Sequence, residues 1–126
     1  AVTAAAVERR LRRCLMGGCL SWPQLFRAGG TRREQRPAAE LPLKMEICSG
    51  HGEWVVAQAR AEEGAANWAA LELRYDRVHC IFSRMVFESA SNLCLLGGDA
   101  AQILPRHIAP GSVDHIFVNF PEPPHT

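Results

Sequence analysis

Two kinds of site are missing from this sequence. The five cysteines (Cys14, Cys19, Cys48, Cys80, Cys94) form no C-x-x-C pair, and the five histidines (His51, His79, His107, His115, His125) never stand at finger spacing from a cysteine. A structural zinc centre is therefore not expected, and no metal site is assigned. Cys80 and Cys94 sit in apolar runs and read as small buried hydrophobes. An odd cysteine count without a framework spacing suits a reduced intracellular compartment, cytoplasmic or organellar. No apolar run approaches the 18 residues of a helical membrane span, so no membrane contact of that kind is expected. At 126 residues there is room for one core.

Acidic residues are scarce in the first part of the chain. Residues 1–37 carry eight arginines against Glu8 and Glu34, a balance of +6, while residues 38–126 carry a balance of −5. A basic arm on an acidic body is suited to nucleic-acid or membrane-surface contact. The same arm, arginine-rich and drawable as an amphipathic helix, also fits an organelle transit remnant, although Ser21 is its only serine. Residues 1–20 read as a helix with a basic face. SWPQLFRAGGTRREQRP (21–37) has the proline, paired glycine and charge of a linker.

From residue 38 onward a repeating pattern runs to the end. LPLKMEIC (41–48) reads as a strand, GEWVVAQARAEEG (52–64) as a helix and NWAALEL (67–73) as a second strand. YDRVHCIFSRMVFESA (75–90) is a helix with Val78, Ile81, Phe82, Met85 and Val86 on one face. NLCLLGG (92–98) is a third strand, DAAQILPR (99–106) a short helix stopped by Pro105, and VDHIFVNF (113–120) a fourth strand. This alternation specifies an α/β fold with a doubly wound, mostly parallel sheet. The chain lacks an initiating methionine and halts just after its fourth strand, which would leave an unpaired apolar edge. A longer protein, of which this is the N-terminal half of the sheet, or a protein partner covering that edge, is expected.

In such sheets ligands sit beyond the carboxyl ends of the strands, where strand order reverses. The polar oddities of the sequence fall there. Ser49-Gly50-His51-Gly52 follows the first strand and opens a helix, and its two glycines would let a ligand approach bare backbone. A dinucleotide loop would need a third glycine at Val55, and the lysine and hydroxyl of a phosphate-binding loop are missing. A tight turn without ligand is the plain alternative. Glu72 ends the second strand 20 residues after Gly52, where α/β nucleotide sites hold ribose hydroxyls; the alternative is a surface glutamate beside Arg74 and Arg77. Asp99 follows Gly97-Gly98 and can cap the next helix, present a carboxylate to a ligand, or both. Asn119 and Glu122 put an amide and a carboxylate on a loop stiffened by Pro121, Pro123 and Pro124.

These residues, in this order and spacing, resemble a specific family. Glu46-Ile47-x-x-Gly50-x-Gly52-Glu53-Trp54, Leu71-Glu72-Leu73-Arg74-Tyr75-Asp76-Arg77-Val78, Asn92-Leu93, Gly98-Asp99-Ala100 and Phe117-Val118-Asn119-Phe120-Pro121-Glu122-Pro123 look like the tRNA (guanine-N7)-methyltransferases over about residues 42–125. The resemblance implies a Rossmann-like fold and S-adenosyl-L-methionine bound over the strand ends, with tRNA as partner. It implies that Glu46 and the Gly50–Gly52 turn flank the methionine part, that Glu72 holds the ribose hydroxyls and that Asp99 lies by the adenine. Asn119 joins this cofactor-binding set, and Glu122 matches the aspartate at the catalytic position. The sequence departs from the pattern at Cys48 (a glycine in the motif), Glu122, Pro124 and Thr126, where a lysine is usual. The alternative function is a methyltransferase-like subunit without catalysis, acting as a binding or assembly module.

Overall fold

The sheet grows outward from its first long strand and then doubles back. In this computed structural model residues 15–16, 18–27, 41–119 and 121 are described; residues 1–14, the segment 28–40 and Glu122 with the rest of the terminal loop lie outside them. The parallel strands are β3 (Leu43–Ile47), β4 (Asn67–Glu72), β5 (Leu93–Gly97) and β6 (His115–Phe117). Between them run α2 (Glu53–Ala61), α3 (Tyr75–Phe87) and α4 (Ala100–His107). Strand order is β5-β4-β3-β6, all parallel, so order reverses between β3 and β6. The expected doubly wound sheet is present, and all its carboxyl ends share one edge.

Period-two alternation divides the sheet residues between two cores. Trp68, Ala70 and Leu93 face α2 and α3, meeting Val55, Val56, Ala59 and Ile81. Leu43, Met45, Ala69 and Leu71 face the other way, against Phe26, Ile103, Leu104 and Ile108. Every residue of β4 is buried, as befits an inner strand covered on both faces.

Several sequence expectations need correction. The expected helix over 1–20 does not reach residue 20: β1 (Leu15–Met16) and β2 (Cys19–Leu20) form a small antiparallel pair. Gly18, at φ +83°, supplies the left-handed turn residue that a helix would reject. The expected linker contains a helix, α1 (Trp22–Arg27). Pro23 stands in its first turn, where a missing N–H costs nothing, and the Ser21 carbonyl accepts from Gln24 and Leu25 (both 3.1 Å). Trp22 and Phe26 then stack at 6.4 Å, and Trp22 Nε1 donates to Ser112 Oγ (3.2 Å).

Pro105 lies inside α4 rather than ending it before His107. Its ring removes one amide donor near the C-terminal end, and the chain turns extended three residues later at Ile108. β6 is shorter than the expected 113–120, because its ladder with β3 stops at Glu46↔Phe117. The apolar face expected on α3 is split: Ile81 is buried and Met85 packs on the core, whereas Phe82 and Val86 are exposed. Cys80 is also exposed on α3, contrary to expectation. Cys94 does pack on the core, and burial pushes its thiol up to about 12.

Candidate functional site

The carboxyl edge of the sheet gathers four of the singled-out segments. Glu46, near the end of β3, has only 3% of its surface exposed. Asn119 Nδ2 donates to Glu46 Oε2 at 2.9 Å, reaching across from beyond the end of β6. The other oxygen, Oε1, is buried and has no hydrogen-bond partner among the described residues. Burial pushes the Glu46 carboxyl above the ordinary glutamate range, the Asn119 and Ser49 hydrogen bonds oppose this, and the nearby Glu72 carboxylate adds to the rise. A buried carboxylate with an unpartnered oxygen is costly. It is a ready acceptor for a ligand cation or N–H.

The turn after β3 is built to expose backbone. Cys48 takes φ +61°, a left-handed conformation uncommon for a side-chain-bearing residue, while its N–H still bonds to the Leu71 carbonyl (2.9 Å). Ser49 Oγ donates to the Glu46 carbonyl (3.1 Å), and Gly52 N–H to the Ser49 carbonyl (3.0 Å). Gly50, at φ +58°, has open space on its Cβ side. Gly52, at φ +85°, has none: a Cβ there would stand 2.8 Å from Ile81 Cγ1 of α3. One glycine leaves room on the open side of the turn, and the other lets the first turn of α2 close on α3.

Glu72, at the end of β4, is 4% exposed and ties the edge together. Its Oε2 accepts from Gly50 N–H (3.0 Å), and its Oε1 accepts from Arg74 N–H (3.3 Å), with Arg77 Nη1 at 4.0 Å. It is therefore not the surface glutamate of the plain reading. Asp99 is a genuine cap of α4, its Oδ1 accepting from Ala101 N–H (3.0 Å). Glu46, Gly50, Gly52, Glu72 and Asn119 are thus linked or adjacent, and Asp99 stands at the neighbouring strand exit. Glu122 lies outside the described residues.

Sequence reasoning missed the supports. Trp54, Trp68 and Phe117 form a trio with centroids 5.4–5.6 Å apart, and Trp54 and Phe117 belong to the segments that carry Glu46's neighbours. Asn92 Nδ2 donates to the Ala59 and Ala66 carbonyls (2.7 and 2.9 Å), giving that motif position a structural duty between α2 and β5. The positions of Trp54, Trp68 and Phe117 along the chain do not say which rings meet.

Comparison with known proteins places this edge in a family. A family model described as "Putative methyltransferase" matches residues 40–126. The tRNA (guanine-N(7)-)-methyltransferase of Chlamydia muridarum is 38% identical over 103 residues, 82% of this chain and 41% of that protein. The enzyme of the same name from Chlamydia felis is 44% identical over 82 residues, 65% of this chain and 36% of that protein. The chain thus spans about two fifths of the length of these relatives. Among solved structures, the O-methyltransferase TomG from Streptomyces achromogenes, in complex with SAM, aligns with a TM-score of 0.54 at 20% identity, over 86% of this chain and 52% of that one. Precorrin-6y C5,15-methyltransferase from Geobacter metallireducens aligns with a TM-score of 0.53 at 17% identity, over 76% of this chain and 46% of that one. These likenesses show the Rossmann-like methyltransferase fold. The match over residues 40–126, together with the relatives' names, shows that the chain belongs to the tRNA (guanine-N7)-methyltransferase family.

Proposed function

We propose that this chain supplies the S-adenosyl-L-methionine site of an RNA methyltransferase acting on N7 of guanine in tRNA. The observation that carries the reading is the buried Glu46, with one oxygen unpartnered, beside Glu72 at the point where strand order reverses. Two buried carboxylates beneath an open glycine turn fit a ligand with a cationic end and a diol, and that is the chemistry of this cofactor. The relatives named tRNA (guanine-N(7)-)-methyltransferase supply the substrate class.

When bound, the cofactor supplies an electrophilic methyl group. Glu46 Oε1 would accept from its ammonium end, the open side of Gly50 would receive its backbone approach, and Glu72 would accept from its ribose hydroxyls. Gly50 N–H holds Glu72 in place for that role. Guanine N7 is an exposed acceptor that carries a lone pair and no proton, so the protein need not remove one. What the chain must do is orient the base edge; placement of this kind lowers barriers by roughly 7–11 kcal/mol in favourable cases. Glu122, three residues beyond Asn119, is the carboxylate suited to accept from the guanine N1–H and amino group. The eight arginines of residues 1–37 suit phosphate contacts.

Calorimetric titration of S-adenosylhomocysteine into the complete protein tests the site. Heat consistent with binding is expected, and its absence at millimolar ligand would sink the enzyme reading. Methyl transfer to bulk tRNA, wild type against Glu122→Ala, then separates an enzyme from a non-catalytic binding module. An unchanged rate would remove Glu122 from the reaction.

A further inference from the structure

We infer that the outward face of α3 is an interface between two copies of this chain, each laying the same helix against the other across a two-fold axis. The inference goes beyond the methyltransferase reading and does not rest on it. α3 carries two apolar stripes. Ile81 is buried, Met85 packs on the core, and Val78 lies over Gly97 at the end of β5, so these three hold the helix to the sheet. Tyr75, His79, Phe82 and Val86 follow one another at steps of four, three and four, the spacing of a coiled-coil seam, and all four are exposed. Tyr75, Phe82, Val86 and the adjoining Phe87 are 80%, 58%, 64% and 91% exposed, so nothing among the described residues covers this second stripe.

The size of the face fits a dimer. Aromatic side chains bury about 150–250 Å² each when covered, so the exposed fractions of Tyr75, Phe82 and Phe87 offer roughly 350–570 Å². Two copies would bury about twice that, and Val86, His79 and Ser83 with it, which reaches the roughly 1,200 Å² of a specific interface. The face is also nearly free of charge. Asp76 is the only Asp, Glu, Lys or Arg among the exposed residues of α3, and Arg74 already holds it through two hydrogen bonds (3.2 and 3.0 Å). The neighbouring cations turn elsewhere, Arg77 toward Glu72 and Arg84 toward Glu53 and the His51 carbonyl. Such a surface has little to hold a phosphate backbone and no charge to steer a strongly acidic or basic partner. Aromatic and charge-poor, it has the composition of an interface core. A neutral seam on a helix is complementary to another such seam, and a second copy supplies one. In an antiparallel pair the Tyr75 end of one helix meets the Val86–Phe87 end of the other, so bulky apolar ends meet each other.

Sedimentation velocity of the complete protein across about 1–100 μM tests the interface, and a dimer is expected within that range. Phe87→Glu and Val86→Glu place a carboxylate at positions open to solvent. Each should weaken dimerisation by about 30-fold or more, the scale of a hot-spot residue, with circular dichroism unchanged. Cross-linking of the wild type checks the same face without any variant. Cys80 is exposed near the middle of α3, so a flexible bismaleimide of about 20 Å, two helix diameters, should join Cys80 of one copy to Cys80 of the other. Peptide mass spectrometry identifies the link. A wild-type protein that stays monomeric overturns the inference. So does a dimer whose links avoid Cys80, or one whose dissociation constant neither variant moves. A monomeric wild type that binds a different protein through α3 would assign the face to that partner and equally overturns the inference.

Discussion

Glu46 shows how burial stores instability in a single residue of the proposed site. Burial holds its carboxyl above the ordinary range, so the folded protein keeps this proton more tightly than the unfolded chain does. The Glu46 contribution to stability is therefore fully present below the ordinary glutamate value and is lost as pH rises through the raised folded value. Glu46→Gln removes that loss while still accepting from Asn119. Thermal melts of the ligand-free protein should show the variant more stable than wild type at pH 7.5, with the advantage fading toward pH 4. Cofactor affinity should fall by about tenfold or more, the loss of one hydrogen bond to a charged group (~1.5–3 kcal/mol). Cys48 stores strain of another kind. Its left-handed φ of +61° costs an L-residue about 1–2 kcal/mol, partly offset because glycine adds freedom to the unfolded chain. Cys48→Gly should thus stabilise by about 0.5–1 kcal/mol in urea titration. Gly52→Ala should do the reverse, by about 2–4 kcal/mol, since it adds left-handed strain to an Ile81 contact at 2.8 Å. The identities of these residues were legible in the motif, but the unpartnered oxygen and the Ile81 contact were not, because both depend on packing between elements far apart in sequence.

Among elements, α2 is fixed at both ends by contacts that no local pattern displays. Its first turn closes on α3 through Gly52, and its C-terminal end is clasped by Glu62. Glu62 Oε1 meets Lys44 Nζ of β3 and Oε2 meets Trp68 Nε1 of β4, both at 2.8 Å. The Lys44 hydrogen bond, helped by the Trp68 one and opposed by burial, holds the Glu62 carboxyl below its ordinary range. Glu62→Ala leaves the N–H of a tryptophan with 1% of its surface exposed without its partner, and should cost about 1–3 kcal/mol. Urea titration with tryptophan fluorescence checks this; an unchanged midpoint would mean that water replaces the carboxylate. The strands and helices from residue 41 onward were legible because apolar period and turn residues agree there. The helix α1 was not, since Pro23 reads locally as a breaker and becomes a first-turn residue only once the Ser21 carbonyl accepts from Gln24 and Leu25. The outer half of the α3 face, with Phe82, Val86 and Phe87 exposed, shows the limit of periodicity: the pattern marks an apolar stripe but not its depth.

For the whole molecule, the parallel order β5-β4-β3-β6 brings residues 46, 72, 99 and 119 to one edge. The proposed binding arrangement exists only in the folded state, so ligand should stabilise by mass action. S-adenosylhomocysteine at 100 times its dissociation constant should add about 2.7 kcal/mol to the unfolding free energy of the complete protein. Glu72→Ala should abolish most of that gain, because it removes the proposed ribose acceptor and frees the Gly50 N–H it holds. Thermal melts across a ligand series decide the matter, and equal shifts in both proteins would remove Glu72 from the site.

The sequence by itself determined the alternating α/β plan, the strand-end placement of Glu46, Gly50, Gly52, Glu72, Asp99 and Asn119, and the family, because period, turn chemistry and motif spacing are local. Tertiary structure alone decided which strands neighbour each other, that Asn119 reaches Glu46 and that Gly50 holds Glu72. Those outcomes rest on side chains 22 and 73 residues apart meeting in a low-dielectric edge. No one-dimensional pattern encodes such a meeting, since it follows from strand order and burial together.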